Sequence, residues 1–449
     1  MYPRMQGPSL ISTRFNLTFV LLLSIVGALA SCQNSNTPKS SERITKSEIR
    51  LTDEGYRLFL NDTVFYVKGA GLGNDKLEDL KAHGANAFRT WSASSGTYSG
   101  LEVLDKAAEN DLKVAMGLGL GLERHGFDYD DGAAVKKQKE RIRQQVLKLK
   151  DHPALMIWVL GNELNHHSEN PKVWDALNDI VRMIHEIDSN HLCTTPLAGM
   201  KAEDVKLVQE RCPDLDFLSV QLYGEIEILP ELIAEAAYEG PLMITEWGAT
   251  GYWEVEKTKW GAPIENHSSL KADFYGSRYK TAIASQSQQV MGSFVFFWGQ
   301  KQERTPTWFG MYLANGQETE AIDVMHHIWT GAWPENRSPR LEDFSLEGHY
   351  PADNIRLKTG AIYQAQASAS DPDQDSLQYR WLIMRESEST ATGGDREEIP
   401  ESLDLFTGSV DHRAEFKAPS DTGAYRLFVY VEDGQNHSAH ANIPFWVYD

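Results

Sequence analysis

Eight short apolar runs, each followed by an amphipathic stretch, constrain this chain more than any other feature. The runs are Phe65–Gly71, Ala87–Trp91, Val114–Leu120, Leu155–Leu160, Cys193–Leu197, Phe217–Leu222, Leu242–Thr245 and Phe294–Trp298. After them, Asp75–His83, Leu101–Asn110, Ala133–Lys150, Lys172–Ile187, Ala202–Arg211, Leu229–Tyr238, Leu270–Gln288 and Thr319–Thr330 carry apolar residues at helical spacing. Continuously apolar strands are buried on both faces, as in a parallel sheet covered by helices. Eight strand–helix repeats predict an α/β fold, a (β/α)8 barrel over residues 49–331. The rival is an open doubly wound sheet. Gly69-Ala70-Gly71-Leu72-Gly73 does not fit the phosphate-binding spacing such a sheet carries after its first strand. Ahead of the barrel, Ile49–Leu51 and Tyr56–Leu60, with the turn Asn61-Asp62, predict a hairpin.

Beyond Trp333-Pro334 the pattern changes. Residues 332–347 read as a polar linker. Residues 348–449 alternate at period two through Ile362–Ala367, Leu377–Met384, Tyr425–Val431 and Ile443–Val447, predicting a small β-sandwich. Its separate composition predicts an accessory domain that folds alone and carries no catalytic group. Asp371-Pro372-Asp373-Gln374-Asp375, leading into Tyr379-Arg380-Trp381, resembles the turn of polycystic-kidney-disease-like and cadherin-like modules. Asp371, Asp373 and Asp375 are therefore candidate Ca²⁺ ligands, with a solvated acidic turn as the alternative. No cofactor is expected otherwise.

Residues 1–32 read as a targeting segment. Arg4 and Arg14 precede an apolar run from Phe15 to Ala30, too short for a convincing membrane span. The run ends in Leu29-Ala30-Ser31-Cys32, which resembles the lipobox of bacterial lipoproteins, with Cys32 the lipidated residue. An uncleaved anchor and an ordinary signal peptide are the alternatives, and each implies export. Residues 33–48 read as a tether, placing the protein at a membrane surface, periplasmic or external, through its lipid alone. The formal charge of −21 repels phosphate backbones and excludes nucleic acid as a partner. Cys193 and Cys212 are compatible with a disulfide or with two buried thiols.

In such a barrel the active site lies at the C-terminal ends of the strands. Those ends carry Arg89-Thr90-Trp91, Gly161-Asn162-Glu163, Gln221-Leu222-Tyr223, Thr245-Glu246-Trp247 and Phe297-Trp298. A Glu directly after an apolar strand is costly unless paired or placed in a cleft. Glycoside hydrolysis needs two carboxyl groups flanking one bond, and strands four and seven supply Glu163 and Glu246 across the mouth. Tyr252, Trp253, Trp260, Trp308 and Phe309, in the loops after strands seven and eight, suit stacking against sugar rings or cover the rim. His166-His167 and His326-His327 lack the spacing of a metal motif. Glu123, Arg124 and His125 follow strand three and are candidates for the cleft wall.

Asn162-Glu163 on strand four and Glu246 on strand seven resemble clan A of the glycoside hydrolases, and residues 49–331 most resemble the barrel domain of family 2. The resemblance implies a retaining β-glycoside hydrolase acting on a β-linked oligo- or polysaccharide. It makes Glu163 the acid/base and Glu246 the nucleophile. Asn162 would bond the sugar 2-hydroxyl, Arg89 and Tyr223 would hold the nucleophile, and Trp91 and Trp247 would join them at the substrate. Trp298 would floor the cleaved subsite beside a cis bond to the next residue. A glycan-binding surface lipoprotein without turnover and a β-glucan transglycosylase are the alternatives.

Overall fold

The computed structural model describes residues 44–449 except 73–74, 95 and 393. The targeting segment, Cys32 and most of the tether lie outside the described residues. Three strands open the structure as an antiparallel sheet: β1 (Ser47–Thr52), β2 (Gly55–Leu60) and β3 (Thr63–Val64). Ser47 N–H donates to Asn190 O and Tyr56 N–H to Gln288 O, both residues that lie just before barrel strands. Leu58 and Leu60 pack with Met156, Phe217, Met243 and Met291. The sheet thus plugs the N-terminal end of the barrel and leaves the opposite mouth free.

The barrel strands are β4 (Val67–Gly71), β5 (Ala87–Arg89), β6 (Lys113–Leu118), β7 (Leu155–Leu160), β8 (Leu192–Ala198), β9 (Phe217–Gln221), β10 (Leu242–Trp247) and β11 (Val290–Val295). They form one closed parallel barrel, with β11 paired to β4. The last strand begins four residues earlier than its apolar run, because Gly292 and Ser293 interrupt the run. Gly292 has φ +134°, and a Cβ there would lie 2.5 Å from the Val67 backbone. The helix Lys172–Ile187 shows why the repeats fold this way. Val173, Leu177, Ile180, Val181 and Ile184 recur at three- and four-residue steps and are all buried. The predicted long helix Leu270–Gln288 instead ends at Arg278 and continues as a wide π-turn, Tyr279–Ile283, that buries Ala282 and Ile283 together.

Nine strands follow: β12 (Arg340–Leu346), β13 (Arg356–Lys358), β14 (Ile362–Ser370), β15 (Gln378–Arg385), β16 (Ser402–Leu403), β17 (Phe406–Val410), β18 (Arg413–Lys417), β19 (Gly423–Glu432) and β20 (Ser438–Tyr448). They form a β-sandwich of two sheets, ordered β12-β14-β18-β17 and β13-β20-β19-β15-β16. Along β19, Tyr425, Leu427, Val429 and Val431 face the sandwich core. The alternate residues Phe428 and Tyr430 are buried as well, packed with barrel residue Leu313. Both faces of this sheet are covered, one of them by the barrel.

The described barrel and sandwich accordingly form one compact unit. Their seam is polar. Glu265, buried, accepts from Lys271 Nζ at 2.5 Å, from Thr305 Oγ1 at 2.5 Å and from sandwich residue Asn442 Nδ2 at 2.6 Å. Arg426 of β19 donates to Pro263 O at 2.9 Å and to Glu386 at 2.6 Å. Burial alone would raise the Glu265 pKa. The Lys271 ammonium, His440 and the hydrogen bonds reverse this and bring it from 4.5 down to about 2. A carboxylate held down in this way stabilises the fold fully above its unfolded value and ceases to do so as pH falls through its folded one. Stability should therefore decline between pH 4.5 and 2, by about 3 kcal/mol from this group, in urea unfolding followed against pH. Glu265→Gln should lose a similar ~3 kcal/mol at neutral pH, because Lys271 stays buried without its counter-ion.

Candidate active site

Glu246, near the end of β10, is the centre of the barrel mouth. Its Oε1 accepts from Arg89 Nη1 at 3.1 Å, Trp91 Nε1 at 2.8 Å and Gln221 Nε2 at 2.9 Å. Its Oε2 accepts from the Tyr223 hydroxyl at 2.9 Å. Each donor sits at or just past a strand end, Arg89 and Trp91 on β5, Gln221 and Tyr223 on β9. The closed barrel therefore brings together side chains far apart in sequence. Arg89 Nη2 and Gln221 Nε2 also donate to Asn162 Oδ1, at 2.9 and 2.7 Å, which orients the strand-four amide toward the same point. Arg89 is fully buried, so its charge is unscreened and acts on Glu246 with little competition from water.

Glu163 has a different environment. Gly161 at φ +69° and Glu163 at φ +52° turn the chain sharply after β7, and Glu163 N–H donates to Pro196 O at 3.1 Å. For a non-glycine residue this left-handed backbone is unfavourable, and the turn leaves Glu163 lining the same cavity as Glu246. Burial, and then the Glu246 charge, push the Glu163 carboxyl up to about 7, while Arg124 and Arg89 pull it back. The pair thus divides into a carboxyl group surrounded by donors and one whose acid form is favoured by burial and by its neighbour.

Both glutamates line one cavity of about 810 Å³. Trp91, Tyr223, Tyr252, Trp253, Phe296, Phe297 and Phe309 supply an aromatic wall, and Asn162, Gln221, Lys201, Lys301 and Glu303 supply polar groups. The His166 and His167 rings, 4.2 Å apart, also line it. Burial and the neighbouring His167 lower the His166 pKa to about 4, so this imidazole is neutral at physiological pH.

Several expected residues lie elsewhere. Trp247 is fully buried behind the strand, against Tyr275 and Tyr279. Trp298 is buried against Trp329 and Tyr312, with Nε1 donating to Asp79 at 3.2 Å. The non-proline cis bond joins Phe296 to Phe297, not Trp298 to its successor, and Phe296 and Phe297 are the rings that reach the cavity. Strand alternation explains the correction for Trp247: Glu246 faces the barrel mouth, so its neighbour faces the helices. Trp260 and Trp308 do not line the cavity, whereas Tyr252, Trp253 and Phe309 do. Glu123 is engaged by Ser168 Oγ and the N–H groups of Glu169 and Asn170. The acidic turn also differs from expectation. Asp373 accepts from Arg337 N–H, and it is Asp433 that completes a carboxylate cluster with Asp371 and Asp375. Cys193 and Cys212 are free, buried thiols.

Two contributors were missed in the sequence. Gln221 ends an apolar strand and gave no signal beyond its position. Glu303 is buried in the cavity wall, paired with Lys301 Nζ at 2.8 Å, and burial raises its pKa. A third departure concerns the sandwich, whose loop between β15 and β16 reaches the cavity through Thr392 and Gly394. Arg304 Nη2 donates to Ala391 O at 3.0 Å, Arg304 N–H to Glu397 Oε2 at 2.7 Å, and His125 Nε2 lies 3.2 Å from Asp395. The docked sheet thus projects this loop over the barrel rim. Arg304→Ala should leave the barrel folded and free the loop. Amide exchange in residues 387–400 should accelerate about tenfold, the loss of one partly buried charge-assisted bond, as read by hydrogen–deuterium exchange.

The sequence pattern described as glycosyl hydrolases family 2, TIM barrel domain, matches residues 67–300. Among solved structures, the chain is similar to Bacteroides uniformis beta-glucuronidase 2 covalently bound to cyclophellitol-6-carboxylate aziridine. Identity there is 13% and TM-score 0.49, over 90% of this chain and 48% of that one. A GH2 beta-galacturonidase from Eisenbergiella tayi bound to galacturonate gives 17% identity and TM-score 0.49, over 64% of this chain and 54% of that one. The beta-D-glucuronidase of Dictyoglomus thermophilum gives 17% identity and TM-score 0.48, with the same coverage. The chain thus spans about half the length of these structures. No curated protein matches it in sequence. With the family pattern covering just over half of its residues, from the first barrel strand past the last, the chain belongs to glycosyl hydrolase family 2 through its TIM barrel domain.

Proposed function

We propose that this protein is a retaining β-glycoside hydrolase acting on a β-linked oligo- or polysaccharide. One observation carries the reading: two glutamates in one cavity have opposite environments, Glu246 amid four donors and Glu163 held toward its acid form. Glu246 attacks the anomeric carbon while Glu163 gives its proton to the departing glycosidic oxygen, forming a glycosyl ester on Glu246. Glu163, now a carboxylate, takes a proton from water as that water attacks the same carbon and releases Glu246. Tyr223, Arg89, Trp91 and Gln221 orient the nucleophile. Asn162 faces the reacting sugar, and the aromatic wall stacks on apolar ring faces. Thr392 and Gly394 extend that wall from the sandwich, so the loop takes part in choosing the glycan. The lipobox ending in Cys32 supports an exported, membrane-anchored enzyme.

The division of labour is tested with two substrates. Glu163→Ala should lose ~10³-fold on natural β-glycans and far less on an aryl glycoside with an activated leaving group, which needs little protonation. Azide should restore part of its turnover as a β-glycosyl azide. Glu246→Ala should be inactive on both substrates. Equal losses on both substrates for Glu163→Ala, without azide rescue, would overturn the assignment, and a parent protein that binds glycans without turnover would overturn the enzyme itself.

The pH dependence follows from the same site. Glu163 must be protonated for the first step and is so below its pKa of about 7. On a substrate with a poor leaving group, kcat/KM should fall about tenfold per pH unit above that value. With the activated aryl glycoside the alkaline limb should flatten.

A further inference from the structure

We propose that the outer face of the helix Gly132–Leu149 is a docking surface for the anionic lipid headgroups of the membrane to which the tether leads. The chain carries 64 acidic residues against 43 lysines and arginines, and its net charge of −21 opposes approach to such a membrane. This helix is the exception. Between Gly132 and Lys150 stand seven lysines and arginines and a single acid, Glu140. The buried stripe is Gln138, Ile142, Val146 and Leu149, so the cations fall on the flanks and the outer arc. Lys136, Lys137, Arg141 and Lys148 are exposed, and so is Leu147 on the same arc. Arg143 lies 3.8 Å from Glu140 and Lys150 2.8 Å from Asp151. Among the described residues, Lys136, Lys137, Lys139 and Lys148 pair with no carboxylate. The flanking helices, Gly100–Glu109 and Lys172–Ile187, carry mixed charges, which confines the excess to this one.

A run of cations is by itself an ordinary solvated face. The place where the tether joins the barrel gives this one a partner. The helix leaves the mouth end after β6 and runs back to the N-terminal end, where β7 begins. There the Thr45 hydroxyl, just inside the described chain, donates to Pro153 O at 2.5 Å. Lys113 Nζ donates to Thr45 Oγ1 at 3.1 Å and to Pro153 O at 2.8 Å. Pro153 is three residues past Lys150, so the chain enters the barrel at the foot of the basic helix. Only residues 33–43 separate Cys32 from Ile44, a reach of at most about 40 Å. The helix is itself about 27 Å long.

The attraction of basic residues to an anionic surface fades within a Debye length, ~8 Å at physiological salt. It therefore acts on the face that the tether holds closest, while the acidic remainder of the surface is repelled. No residue of this helix lines the catalytic cavity, so docking leaves the mouth open to glycan.

The inference rests on the proposed lipid anchor at Cys32, and the test separates the two. A chain beginning at Cys32 is coupled through that thiol to maleimide-bearing vesicles, since Cys193 and Cys212 are buried. Vesicles of phosphatidylcholine are compared with vesicles that also contain phosphatidylglycerol, and lysine acetylation is read by mass spectrometry. On the anionic vesicles Lys136, Lys137 and Lys148 should label about tenfold more slowly, a difference lost in about 1 M salt. Lys206, on the helix Ala202–Arg211, should label equally on both. Each cation at such a surface strengthens binding roughly fivefold. Without coupling, the triple variant Lys136→Glu, Lys137→Glu, Lys148→Glu should therefore bind anionic vesicles at least ~100-fold more weakly than the parent, at an unchanged melting temperature. Whether Cys32→Ser releases the protein from the membranes of producing cells tests the anchor on its own. Equal labelling on the two kinds of vesicle, or equal binding by parent and triple variant, overturns the proposal. So does protection of these lysines by soluble polygalacturonate and not by vesicles, which assigns the face to an acidic polymer.

Discussion

A parallel sheet of eight strands escapes exposed edges only when its last strand pairs with its first, and the rest of this molecule depends on that closure. Here β11 lies against β4 with Gly292 opposite Val67, an approach that leaves no room for a side chain. Closure places every strand's C-terminal end on one rim, which is why residues as distant in sequence as Arg89, Asn162, Gln221 and Glu246 share hydrogen bonds. The opening three-stranded sheet covers the other end, so the polar side chains at the rim have water on one side only. The cavity is a consequence of this geometry.

Within that cavity like groups are treated unequally. Four donors, one a fully buried guanidinium, converge on Glu246 and suit the carboxylate form. Glu163 has the Glu246 charge before it and little compensation of its own, so burial and repulsion favour the acid form. The same two residue types are thereby differentiated by neighbours that neither controls locally. Glu303 adds a third buried carboxyl, held by Lys301, and the Lys301–Glu303 pair gives the aromatic wall a polar end.

The sandwich is docked on the barrel as part of the same unit. A sheet with both faces buried docks through Glu265, Asn442 and Arg426, and the polar character of that seam fixes its orientation as well as its contact. The loop between β15 and β16 then falls across the rim, held by Arg304. Barrel and sandwich stability, loop position and access to Glu163 are therefore linked through charged groups that must keep their partners.

By itself the sequence determined the repeat, the order of elements and the two glutamates. Apolar runs separated by helical periodicity leave few folds, and a Glu immediately after such a run has few reasons to be there. The β-sandwich was legible in the same way, from alternation at period two. What escaped were facts that depend on direction and docking. Trp247 ends a strand and Trp298 follows one, as Trp91 does, yet a strand's alternation and the turn through Phe296-Phe297 send them into the helical layer. Gln221 and Glu303 acquire meaning only from partners on other strands and loops. The apolar continuity of β19 reads as a central strand but does not name the surface that covers its second face. That surface is the barrel, and only tertiary structure decides it, because the contacts joining Glu265 to Asn442 and Arg304 to the sandwich loop span long stretches of chain that no local periodicity can relate.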